Sequence, residues 1–91
     1  MKTLRRGYMF LVMGKDDKPS SDEILRVIDC QFEKAAGRLK PDESIIEVAV
    51  APDVHERLSG CNRLDGIPIL KDPSVPRGLV YFIVENENKE S

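Results

Sequence analysis

Cysteine, histidine and long apolar runs are all scarce in this chain, and each scarcity removes a class of protein. Two cysteines, Cys30 and Cys61, are too few for a disulfide scaffold, and their spacing fits no zinc signature. They read as reduced thiols in a cytoplasmic protein. A zinc site wants four ligands, commonly in tight pairs, and Cys30, His55 and Cys61 are dispersed. A Cys–His nucleophile needs its two side chains in contact, yet the one histidine sits in a polar turn beside Glu56. No catalytic residue, metal ligand or cofactor site is therefore assigned. No apolar run approaches the roughly 20 residues of a membrane span, which argues against a membrane partner. The start, MKTLRRGYMFLVMG, has the basic-then-apolar order of a signal peptide. Its apolar part is short, charges follow at once, and no small-residue cleavage site is present. It reads as a first strand. The six glycines are scattered, with no phosphate-cradling motif. Neither sign of charge dominates: the formal net charge is −2, unlike the strongly basic balance typical of nucleic-acid binders.

What is present describes one globular domain over residues 1–91, ordered from about 4 to 84, with 41% hydrophobic and 33% charged residues. Tyr8–Met13 is short and continuously apolar, as a strand covered on both faces would be. Ser20 and Glu23 have capping-box spacing. Ile24, Ile28, Phe32, Ala35 and Leu39 then recur at helical steps, so a helix is expected from Ser21 to Leu39 at most. Gly37 and Pro41 stop it. Ile45–Val50 reads as a strand, with Ile46, Val48 and Val50 on one face. Pro52–Leu58 reads as a short helix ended by Gly60, and Asp65-Gly66 as a turn. Ile67–Leu70 and Leu79–Val84 are expected to pair as an antiparallel hairpin around a proline-stiffened loop. The second of these is the most apolar strand and the candidate for a central position. Residues 85–91 contain no apolar side chain and are expected to be a disordered acidic tail. The fold class is α+β, in the order β-α-β-α-β-β. A single mixed sheet carries one long helix packed on one face.

Gly66-Ile-Pro-Ile, Asp72-Pro73, Pro76-Arg-Gly78 and Leu79-Val-Tyr-Phe resemble the proline-rich hairpin of tailed-phage proteins. These include the central domain of the major capsid protein and small phage or prophage proteins with a short helix ahead of the hairpin. The resemblance spans about Val50 to Val84. It implies a viral or mobile-element origin and a role in contact rather than catalysis.

One long helix cannot cover both faces of such an apolar sheet. The uncovered face, or an open strand edge, is expected to be buried in a homodimer or against another protein. Arg77, flanked by Pro76 and Gly78 in a stiff loop, is the candidate contact residue, with Pro76, Val75 and Lys71 beside it. The alternatives are a nucleic-acid-binding accessory protein using Arg5, Arg6, Arg63 and Arg77, and a small Cys/His enzyme.

Overall fold

The structure is a computed structural model that describes residues 2–87. It contains two helices, α1 (Ser21–Ala36) and α2 (Pro52–Arg57). The strands are β1 (Lys2–Arg6), β2 (Phe10–Leu11), β3 (Glu43–Val50), β4 (Arg63–Leu64), β5 (Ile67–Lys71) and β6 (Leu79–Glu87). They form one six-stranded mixed sheet in the order β1-β6-β3-β5-β4, with β2 also pairing β6. Only β3 and β5 run parallel among these pairs. The α+β class, with one long helix on a mixed sheet, is the architecture.

α1 begins where its cap dictates. The Glu23 N–H donates to Ser20 Oγ at 3.2 Å, which satisfies one of the four unpaired amides of the first turn. Ile24 and Ile28 are fully buried beneath it. Phe32 meets Phe82 edge-on at 5.8 Å between ring centres, and Phe10 packs on the same ring at 5.3 Å. These contacts identify the face of β6 that α1 covers: Val80, Phe82 and Val84 point to the helix. Val50, Val48 and Ile45 lie opposite them on β3. α2 is tied to the segment entering α1, because Arg57 donates to the Pro19 carbonyl from Nη2 at 3.1 Å. Its Val54, with Leu58 just beyond it, completes the same core.

β6 is an interior strand, paired on both edges, as its composition predicts, but its neighbours differ from expectation. β5 and β6 do not form a hairpin. β3 lies between them, pairing β5 through Val48↔Ile69 and β6 through Val48↔Phe82. An apolar strand buried on both edges removes all its backbone groups from water. The β5–β6 loop therefore crosses the end of β3, where the Asp72 N–H donates to the Val50 carbonyl at 2.9 Å. Gly78 closes that loop at φ +76°, and a Cβ there would run into the Met13 carbonyl. This glycine is required on both counts.

Three further readings are corrected. The first long strand is Lys2–Arg6, not the apolar Tyr8–Met13, of which only Phe10 and Leu11 pair. Tyr8, Met9 and Leu11 are exposed, on a segment whose only strand partner among the described residues is β6. Glu85–Glu87 are not tail but the end of β6, held by backbone ladders to β1 on one side and β3 on the other. The rest of the expected tail, 88–91, lies outside the described residues. In β3 a register shift between Ile45 and Glu47 interrupts the alternation, so Ile45 joins Val48 and Val50 on the helix face instead of Ile46.

Candidate functional site

The alternation of β6 places Leu79, Tyr81, Ile83 and Glu85 on the face opposite α1. The register adds Leu4 and Arg6 from β1, Leu11 from β2, and Ala49 from β3 with Leu70 beside it on β5. No helix lies here. Leu4, Leu11 and Leu70 are 63%, 61% and 47% exposed. Each comes from a different strand, so their exposure belongs to the whole face and not to one frayed end.

The centre of this face is polar in a specific way. Tyr81 is 2% exposed although no helix covers it. Two side chains roof it. The Arg6 guanidinium lies 5.3 Å from the ring centre, a cation–π distance. Asp72, from the β5–β6 loop, accepts the Tyr81 hydroxyl proton at 2.6 Å through Oδ2. Its Oδ1 accepts from the Ser74 hydroxyl at 2.6 Å and from the Ser74 N–H at 2.9 Å. The Ser74 hydroxyl bond, then the Tyr81 bond, then the Ser74 amide hold the Asp72 carboxyl down from 3.8 to about 2. The same Asp72 bond, with burial, raises the Tyr81 phenol. A strongly ionised aspartate and a strongly protonated tyrosine make a stable clamp. Neither group is poised near neutrality for proton transfer.

The candidate contact residues separate. Pro76, Arg77 and Lys71 are at the surface. Val75 is 4% exposed and belongs to the core, so it is withdrawn as a contact residue. Its amide donates to the Asp72 carbonyl at 3.1 Å, and that turn folds the loop's one apolar side chain inward. Arg77 lines a cleft of about 490 Å³ with Lys15, Arg57, Asp17, Asp53 and Glu56. Two of these acids are already engaged: Asp53 accepts from the Gly78 N–H at 3.2 Å and Asp17 from the Gly14 N–H at 2.9 Å. The four arginines of the nucleic-acid reading do not converge. Arg5 and Arg6 are on β1 and Arg63 on β4, at opposite ends of the sheet, and Arg5 Nε bonds Glu43 Oε2 at 3.2 Å. Cys30 is exposed on α1 and Cys61 is half-buried; both are free thiols. Among the described residues, no three His, Cys, Asp or Glu side chains gather where they could hold a metal, and no helix is long and apolar enough to cross a membrane.

Sequence reasoning missed Leu4, Leu11 and Leu70 as a shared surface, and missed the Arg6–Tyr81–Asp72 cluster. One signal was available for the second: a tyrosine on a central strand needs a partner for its hydroxyl. Comparison with family models, with curated proteins and with solved structures finds no match to this chain.

Proposed function

We propose that this chain is a non-enzymatic protein-binding module that works as a homodimer, joined through the sheet face opposite α1. The observation that carries this reading is the exposure of Leu4, Leu11 and Leu70 on one helix-free face. Burying such side chains in an interface removes apolar surface from water at about 25 cal/mol per Å². Arg6, which roofs the buried Tyr81 at the centre of the face, is of a type enriched among interface anchors. Their clamp is already formed in the single chain, so little side-chain entropy is lost when a partner arrives. Arg77, Pro76 and Lys71 border this face through the loop that carries Asp72, and form a second contact point for a different protein. The two free thiols suit a reducing, cytoplasmic setting. The viral or mobile-element origin rests on the resemblance that spans about Val50 to Val84.

Sedimentation equilibrium over a wide protein concentration range tests the reading. The wild-type chain is expected to sediment as a dimer, and Leu4→Glu with Leu70→Glu as a folded monomer by circular dichroism. A wild-type chain that stays monomeric at millimolar concentration overturns the homodimer.

A further inference from the structure

A second site lies on the opposite side of the sheet, independent of the self-association reading. The C-terminal end of α1 stands away from β1, and the gap is a groove of about 260 Å³. Its floor is Phe10, Phe82 and Val84, and its wall is Ala35 and Leu39. The rim differs in kind: Arg5, Arg38 and Tyr8. No acidic residue lines it, in contrast to the cleft beside Arg77, where three acids face three bases.

The charges at the rim can be counted. Glu43 neutralises Arg5 through Nε and fixes its position, since Glu43 also accepts the Lys40 N–H at 3.0 Å. Arg38 has no ion pair with any described residue. One uncompensated positive charge therefore overhangs an apolar, aromatic floor. The Arg5 Nη groups add donors at the same rim, while the Tyr8 hydroxyl donates to Gln31 Oε1 at 3.5 Å. The groove is smaller than the roughly 300–1,000 Å³ typical of drug-sized sites. It is too small for a folded partner's surface element, and one net charge suits a monoanion better than a phosphate dianion.

We infer that this groove binds a small amphipathic carboxylate, with its apolar body on Phe10, Phe82 and Val84 and its carboxylate at Arg38. The guanidinium supplies paired donors that match a carboxylate's two oxygens. The body is a medium-length alkyl chain, free in solution.

Isothermal titration of the full chain with decanoate, below its micelle concentration, tests this. Decanol supplies the same chain without the charge, and inorganic phosphate supplies charge without the chain. Decanoate is expected to bind one per chain, about tenfold or more tighter than decanol, with no phosphate binding. Arg38→Gln, at an exposed position that leaves the fold intact, is expected to bring decanoate down to the affinity of decanol. Ala35→Met, which fills the groove from the helix side, is expected to weaken both ligands at least tenfold. Its thermal melt verifies folding. Equal affinities for decanoate and decanol in the wild-type chain overturn the inference, as does decanoate binding unchanged by Arg38→Gln. Decanoate binding unchanged by Ala35→Met would place the ligand on the open sheet face and overturn it equally.

Discussion

The two faces of this one sheet are built by different means. Beneath α1, Val80, Phe82 and Val84 of β6 meet Val48 and Val50 of β3 and the isoleucines of the helix, and the interior is wholly apolar. On the other face the same strand buries Tyr81 without a helix, using an arginine stacked on the ring and an aspartate on the hydroxyl. The leucines around it stay in water. The first face is closed by area, the second by a few directed contacts. Closing by area fills a core and finishes it. Closing by directed contacts protects one residue and leaves its surroundings available.

That contrast can be broken by mutation. Ile28→Ala on the covered face opens a cavity at a fully buried site and is expected to destabilise by about 2–5 kcal/mol, read as a lowered urea midpoint. A loss below that of Tyr81→Phe would mean the two faces are not held differently. Tyr81→Phe removes one hydrogen bond and keeps the ring under Arg6, with an expected loss of about 1 kcal/mol by the same measurement.

Acid sharpens the comparison further, because the bare face carries a carboxylate held well below its ordinary range. The Asp72 carboxyl is lowered from 3.8 to about 2. As pH falls, the unfolded chain takes up its proton first, so stability present above about pH 4 drains away toward pH 2. Asp72→Asn is expected to flatten this acid limb while leaving the Ile28→Ala difference unchanged. Urea midpoints at several pH values between 2 and 5 check it. The smallest effect is Leu70→Ser on the open face. It is expected to shift monomer stability by no more than about 0.5 kcal/mol, measured in dilute solution. A large loss there would show that this leucine is part of the chain's own core.

The contrast also explains what could be read beforehand. α1 was legible because its signals are local: Ser20, Glu23 and an apolar stripe lie within a few turns of one another. The Asp65-Gly66 turn was legible for the same reason, and both residues do take positive φ, 49° and 83°, as a two-residue hairpin turn demands. β1 was not legible. Lys2-Thr-Leu-Arg-Arg6 is polar and becomes a strand only because β6, at the far end of the chain, offers it a ladder. Glu85–Glu87 were lost to the same blindness, since backbone pairing leaves no trace in side-chain pattern. The β5–β6 hairpin failed because adjacency in sequence stood in for adjacency in the sheet. Nothing local to the proline-stiffened loop singles out Asp72, because its bond to Tyr81, nine residues on, depends on how the loop crosses β3.

The place of β6 in this sheet has a consequence for how the chain is made. β1, β2 and β3 all leave the ribosome before it, and all three ladder onto it. Lys2 waits for Glu87. Until Leu79 and its successors emerge, the nascent polypeptide can assemble α1, α2 and the β3–β5 pair but cannot seal the sheet. Three strands spend that interval with unclaimed backbone groups, when aggregation is most readily nucleated.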